Sequence, residues 1–413
     1  MTRTLPVDRS ITFPSRMFLD METRGGMNVA LSYVLVLDEP LTAEEVRTAI
    51  ESLTAVSPRL RQRIASGGEQ WVPTAAGGQV DFVELAPDTD MGVVYDHCSR
   101  LQERVFPLDR PLWHVVYFSP LRGGGSALLV RLHHAVGNGA EALTMLASAF
   151  GVDVQATRWV DVVQDTDVLQ EISAPEPPAV VGHLISAGDG AGSADAALDL
   201  RRQEVALLEA GAREIWDAVA ARHGVSLDVV SISLIADAMF RYRERAGTSR
   251  DSILFTLPTT SDKLYDLSNG ALGVHVPNIR VGADVIGTDR LPALAKLLAA
   301  EIAASEQKAM EMLRGAAPTA PATATSGPAD AEISDVLLTS LVTMPALEVQ
   351  GHRVVDFSGF APVTGTRVVA SPMDYGGEVR VCLNMDAALV SSSAFRFCAH
   401  QAVSDLFGAP QAT

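Results

Sequence analysis

Hydrophobic and polar positions alternate along this chain in two periods, and their distribution predicts a mixed protein. Residues 27–38, MNVALSYVLVLD, are a β-branched apolar run that predicts a strand. Thr42 with Glu45 three residues later has capping-box spacing and opens a helix through Leu53. Further strands are predicted near 80–85, 113–118 and 126–133, with a helix near 92–105. In the second half the pattern predicts helices at about 203–222 and 226–246, then strands near 252–258 and 272–281. A long amphipathic helix follows at about 289–313, then four strand-like runs to about 385 and a closing helix near 391–407. No internal repeat is visible. Strands and helices mixed in both halves predict an α/β class, in the α+β two-lobed sense.

The pattern lapses in two places. SAGDGAGSADAA at 186–197 is small, flexible and polar, and GAAPTAPATATSGPADAE at 315–332 is rich in Pro, Ala, Thr and Gly. The 413 residues exceed one ordinary core and suit two domains. The expected organisation is therefore a first lobe over 1–185, a crossover linker at 186–200 and a second lobe over 201–413. Residues 315–332 are expected to form a mobile loop in that second lobe.

Composition narrows the function classes. Hydrophobic residues are 47% and charged residues 20%, as in globular proteins. No window approaches ~18 consecutive apolar residues and the first residues lack a signal-peptide core, so a cytoplasmic protein without stable membrane insertion is expected. The net charge of −18 argues against nucleic acid as a partner. Lysine occurs only at Lys263, Lys296 and Lys308, so any anionic ligand would need arginine. The arginines at 59–63 and 241–245 read as solvated faces or as positive sites for such a ligand. Cys98, Cys382 and Cys398 give no CxxC pair and read as buried structural thiols. His97, His183, His223, His275, His352 and His400 have no metal-ligand spacing, so no metal is expected.

The chemistry concentrates in RLHHAVGNGAEAL, residues 131–143. An apolar run, Ala127 to Leu132, predicts a strand buried on both faces apart from Arg131. His133 and His134 end it on alternate sides. Gly137 and Gly139 permit a tight turn, and Asn138 with Glu141 has capping-box spacing for a helix whose apolar stripe is Leu143, Leu146 and Phe150. An imidazole fixed on a strand end suits proton transfer. A hydrogen-bonded, half-buried strand-end histidine satisfies the same pattern, and spacing does not choose between them.

His133-His134-Ala135-Val136-Gly137-Asn138-Gly139 resembles the HHxxxDG motif of the chloramphenicol acetyltransferase-like superfamily. Pro111-Leu112-Trp113 resembles the PLW motif of its wax ester synthase/diacylglycerol acyltransferase branch, and SPRLRQRI at 57–64 resembles another of that branch's segments. PSRMFLDMETRGGMNVAL resembles that branch's approach to its first strand. The resemblance is fullest over 14–150. It implies the chloramphenicol acetyltransferase-like fold, two similar lobes around a central channel, with His134 at its middle as general base. It also implies an acyltransferase that moves an acyl group from acyl-CoA or an acyl carrier protein to a small-molecule hydroxyl or amine acceptor. No permanently bound cofactor is implied; the acyl-CoA or phosphopantetheine-linked donor is a co-substrate.

Within the resemblance, His133, Asn138 and Gly139 support the turn, and Trp113, Thr339 and Ser340 are candidate channel residues. Trp113 reads as channel wall or core packing ahead of a substrate contact, and Thr339 and Ser340 as structural strand residues ahead of oxyanion donors. Two departures stand out: Asn138 occupies the motif's Asp position, and the branch's Asn-Asp motif, falling near Leu227-Asp228-Val229, is not intact. They favour a natural-product or specialised lipid role over bulk wax or triglyceride synthesis. They also admit a second reading, a non-catalytic member that binds an acyl chain, carrier protein or polyketide, or steers a cyclisation. No Gly-x-Ser-x-Gly elbow accompanies the histidines, which argues against a hydrolase.

Overall fold

The computed structural model describes residues 11–152, 202–263, 274–315 and 333–408, apart from 12, 25, 67, 69 and 262. The chain runs from helix α1 (Phe13–Thr23) to strand β1 (Ala30–Leu37) and helix α2 (Ala43–Ala55). A 3-10 turn (Pro58–Arg61) leads to β2 (Gln62–Ile64), β3 (Trp71–Pro73) and β4 (Gln79–Glu84). Helix α3 (Gly92–Gln102), β5 (Trp113–Ser119), β6 (Ser126–His133) and α4 (Gly139–Phe150) follow. Beyond residue 202 come β7 (Gln203–Ala212), α5 (Arg213–His223), α6 (Leu227–Arg245), β8 (Ser252–Thr256) and β9 (Thr259–Thr260). Next are β10 (Val274–His275), β11 (Asn278–Gly282), α7 (Leu291–Gly315), β12 (Ser334–Leu338) and β13 (Val342–Thr343). The last elements are β14 (Glu348–Val349), β15 (His352–Phe360), β16 (Thr366–Tyr375), β17 (Glu378–Asp386) and α8 (Ser392–Phe407).

These elements form two compact units, Met1–Ala174 with Met344–Ala361, and Pro175–Thr343 with Pro362–Thr413. The first is built on a six-stranded sheet in the order β14-β15-β1-β6-β5-β4. β6 lies between β1 and β5, antiparallel to both, with Ala30 opposite His133 and Trp113 opposite Leu132. All eight residues of β6 are buried, as an apolar run between two neighbours requires.

Arg131 is buried within that run. It donates from Nη2 to the Leu101 and Arg104 carbonyls at 2.6 and 3.2 Å, and its guanidinium lies 4.8 Å from the Phe106 ring centre. Its Nη1 is 3.4 Å from His114 Nδ1, whose Nε2 is 2.9 Å from Asp81 Oδ2. Burial pushes the Arg131 guanidinium down to about 10 and His114 down to about 4, the Arg131 charge adding to the second shift.

The second unit has a sheet in the order β11-β8-β12-β16-β17-β7, with β13 beside β16. β12 is parallel to both β8 and β16. Its buried cation is handled differently. Arg243 on α6 pairs with the Asp335 carboxylate on β12, which also accepts from Leu254 N at 2.9 Å. The arginines near 241–245 divide: Arg243 is buried, Arg241 is held by Asp237 at 2.9 Å and Asp405 at 2.6 Å, and Arg245 is exposed, as a solvated face requires.

Three expectations are corrected. Residues 203–212, read as the start of a helix, form β7, because pairing with β17 over eight positions outweighs their helix-forming composition. Phe13–Thr23 is a helix where an approach to a strand was read. The second lobe is not continuous from 201 to 413, since β15 pairs with β1 from Ser32 opposite Phe360 to Leu37 opposite Val354. The linker at 186–200 and residues 316–332 of the expected loop lie outside the described residues. Among the described residues no single helix is long and apolar enough to cross a membrane.

Candidate functional site

β6 delivers both histidines of the motif to the same turn, in different surroundings. His133 is fully buried. Its Nδ1 accepts from Ala135 N at 2.9 Å, so the proton of the neutral ring sits on Nε2, which faces the Glu22 carboxylate across 3.4 Å. The Phe106 ring meets it edge-on at 5.7 Å. Every polar atom of His133 is turned inward, and its part is to shape the turn.

His134 is half-buried. Its backbone N donates to Val29 O at 3.1 Å, which pins the strand end, and the Phe18 ring stacks on it at 3.8 Å and 15°. Its Nδ1 is sealed from solvent with no hydrogen-bond partner of good geometry. Burial pushes the imidazole down to about 4, and a charge on His133 works in the same direction. The ring is therefore neutral at neutral pH.

The turn is closed by the predicted cap. Asn138 Oδ1 accepts from Glu141 N at 3.0 Å, and the Glu141 carboxylate accepts from Asn138 N at 2.6 Å, a complete capping box at the start of α4. Asn138 is exposed, and its side chain is engaged within this box. Gly139 begins the helix with open space where a Cβ would stand. The close approach is at Gly137 instead, where a Cβ would lie 3.1 Å from Glu141 and 3.3 Å from Met145. Gly137 is thus the tighter of the two glycines.

The remaining predicted residues separate. Trp113 is buried, donates from its indole N–H to Leu60 O at 2.8 Å and covers Gly78, as core packing requires. Thr339 and Ser340 lie in the second unit just after β12; Thr339 N donates to Ala370 O at 3.0 Å and Ser340 is exposed. Asp228, near which the branch's Asn-Asp motif was expected, sits in the first turn of α6 and accepts from Leu341 N at 3.1 Å. It ties that helix to the segment holding Thr339 and Ser340. The three cysteines are buried, and burial pushes the Cys98 thiol up to about 11, so it stays protonated.

Ser15 was not singled out from sequence, and Arg59 entered only among the arginines at 59–63. Ser15 Oγ donates to Ala135 O at 2.8 Å, and Arg59 Nη1 lies 3.4 Å from Ser15 Oγ. Burial lowers the Arg59 guanidinium, opposed by the Glu141 carboxylate. It is half-buried rather than solvated, and its link to the turn runs through a contact 44 residues away.

The model of the wax ester synthase/diacylglycerol acyltransferase catalytic domain matches residues 14–231. The chain belongs to this acyltransferase family. Its structure is similar to a wax ester synthase/diacylglycerol acyltransferase from Marinobacter aquaeolei, with a TM-score of 0.65 at 14% identity, covering 96% of this chain and 98% of that one. It is also similar to the first condensation domain of the CDA synthetase, with a TM-score of 0.59 at 15% identity over 98% of each chain. A starter condensation domain of rhizomide synthetase, solved in complex with C8-CoA, matches with a TM-score of 0.56 at 12% identity, covering 96% of this chain and 95% of that one. Comparison with curated protein sequences finds no match. The two-lobed chloramphenicol acetyltransferase-like fold implied by the histidine motif is the fold observed.

Proposed function

We propose that the protein transfers an acyl group from a thioester, carried on CoA or on a carrier protein, to a hydroxyl or amine acceptor, with His134 as general base. The observation that carries this reading is the state of His134: a neutral imidazole on a rigid strand end, sealed at Nδ1, so that Nε2 is the nitrogen left for an acceptor. His134 Nε2 takes the acceptor's proton as its oxygen or nitrogen attacks the thioester carbon. The tetrahedral intermediate collapses with cleavage of the C–S bond, and the imidazolium returns the proton to the departing thiolate. Atoms balance with no metal or redox group. A ring pushed down to about 4 is always unprotonated near neutrality but is a weak base, so acceptor binding must favour the developing imidazolium.

The acyl-CoA ligand of the rhizomide synthetase domain supports a thioester co-substrate here. The interrupted motif at Leu227-Asp228 supports a specialised lipid or natural-product role in the cytoplasm over bulk storage-lipid synthesis. One observation favours a second reading, a binding or steering protein of the same fold. The motif's acidic position is Asn138, exposed and engaged only within its own helix cap.

The test avoids guessing substrates. The gene is deleted in its source organism and complemented with wild type or His134→Ala, both shown to be folded, and metabolites are compared by mass spectrometry. Restoration of a missing product by wild type alone is the expected outcome, and the mass difference between accumulated precursor and product names the acyl group. Equal restoration by His134→Ala removes base catalysis and leaves the binding reading.

A further inference from the structure

Helix α1 meets the histidine turn residue by residue. Ser15, Phe18 and Glu22 are spaced three and four apart, which puts them on one face of the helix. Ser15 Oγ donates to the Ala135 carbonyl at 2.8 Å, Phe18 stacks on the His134 ring at 3.8 Å, and the Glu22 carboxylate faces His133 Nε2 at 3.4 Å. Three consecutive turn residues, 135, 134 and 133, are thus each matched by one residue of α1, running antiparallel. Ser15 and Glu22 are buried at the two ends of this contact. A helix that only filled space would have no need of two polar anchors bracketing one aromatic ring.

We propose that Phe18 is a positioning residue for His134, and that Ser15 and Glu22 hold α1 in register with the turn so that the imidazole is presented in a single orientation. The inference rests on the reading of His134 as the base. The stacked ring covers one face of the imidazole at an interplanar angle of 15°, which restricts rotation of a side chain whose other polar contact is to its own backbone. Orientation that other histidines obtain from a hydrogen-bonded carboxylate is here supplied by an aromatic plane.

The charged and titratable groups around the turn are His133 on β6, Glu22 on α1, Arg59 on the 3-10 turn and Glu141 on α4. His133 is the one that acts directly on the His134 charge, disfavouring it. Loss of the Phe18 ring admits water to the covered face and relieves the burial that keeps His134 unprotonated.

The experiment reads the ring directly. Isotope-labelled full-length protein is followed by long-range proton–nitrogen NMR of the histidines, with His134→Ala assigning the signal and circular dichroism confirming the fold of each variant. Wild type is expected to show one His134 tautomer and a midpoint of about 4. In Phe18→Ala and in Phe18→Leu, which keeps the bulk but not the plane, tautomers mix and the midpoint moves up by about one pH unit or more. Phe18→Tyr retains the wild-type signal. With a substrate identified, Phe18→Leu lowers kcat by about tenfold while KM changes by less than about twofold.

A Phe18→Leu protein with wild-type tautomer and midpoint overturns the proposal. Because Leu keeps most of the volume, failure of the Ala variant to fold does not block the test. If His134→Ala retains activity while Phe18→Leu still mixes the tautomers, the base reading falls and the positioning role stands.

Discussion

Each unit ends a central strand in buried polar residues and turns directly into a helix, yet the two strand ends do different things. β17 of the second unit closes on Asn384-Met385-Asp386. Asn384 Nδ2 donates to Gln203 Oε1 at 2.8 Å, and Asp386 Oδ1 accepts from Ala388 N at 2.9 Å. Asn384 Nδ2 is committed to the neighbouring strand and Asp386 Oδ1 to the turn. β6 of the first unit closes on His133-His134, and only His133 is committed in that way, through Ala135 N and Glu22. His134 has no hydrogen bond from its ring to another residue at Nδ1 and is braced by Phe18. A strand end becomes a candidate for chemistry when the structure fixes a titratable side chain without using up its polar atoms.

The largest expected effect tests the other contrast between the units, their buried arginines. Arg243 is paired with the buried Asp335, while Arg131 leans on two carbonyls, the Phe106 face and neutral His114. Asp335→Ala removes the carboxylate facing Arg243 and Arg367, leaving Arg243 the Ser252 carbonyl at 3.3 Å, and leaves Leu254 N without its acceptor. It should cost about 3–5 kcal/mol in urea denaturation. A cost below about 1 kcal/mol would mean that Arg243 is satisfied by other groups, as Arg131 is, and the contrast would disappear.

The first unit instead shows its buried cation through pH. His114 has a folded pKa of about 4, below the ordinary value of 6.5, so between those values the unfolded chain binds more protons. Its contribution is fully present above about 6.5 and is lost as pH falls towards about 4, amounting to about 3 kcal/mol. His114→Gln, which keeps a polar group between Asp81 and Arg131, should flatten the stability profile across that window by up to about one proton. An unchanged slope would show that burial and the Arg131 charge do not hold His114 neutral. His134 is depressed to a similar value, so the slope that survives in the variant includes its share.

What the sequence made legible was local. β1, β5 and β6 fall within a few residues of their expected positions because largely apolar runs bounded by turn residues mark buried strands, and β4, a half-exposed edge strand of mixed residues, falls as close. The caps at Thr42 and Asn138 were readable because both partners lie three residues apart. β7 was misread because Glu204, Leu207, Leu208 and Glu209 favour a helix, and its strand state depends on β17, over 160 residues away. β15 joined the other unit for the same reason, through register with β1. In the site, His134 stood out by motif, but the stack from Phe18 joins residues 116 apart in sequence, and no spacing rule reaches that far. Trp113 shows the converse: a motif residue whose motif says nothing about its packing against Gly78 and Leu60.

The smallest prediction returns to the two helices that follow the strand ends. Asn138 at the start of α4 makes a reciprocal capping box, whereas Ser391 at the start of α8 makes no side-chain cap. Ser391 instead donates its backbone N–H to Tyr242 Oη at 3.0 Å, which serves that helix end without the hydroxyl. Asn138→Ala should therefore cost about 1 kcal/mol, and Ser391→Ala less than about 0.5 kcal/mol, in urea denaturation. Asn138→Asp is the informative third variant, because it restores the acid of the family motif while keeping the cap. The carboxylate gains from the α4 helix dipole but stands beside Glu141, which already accepts from the backbone N–H of residue 138. Those terms oppose one another, so stability should change by less than about 0.5 kcal/mol. If activity rises in Asn138→Asp at unchanged stability, the acid of the motif acts on substrate chemistry. If neither changes, the cap is what this position contributes, and Asn supplies it as well as Asp does.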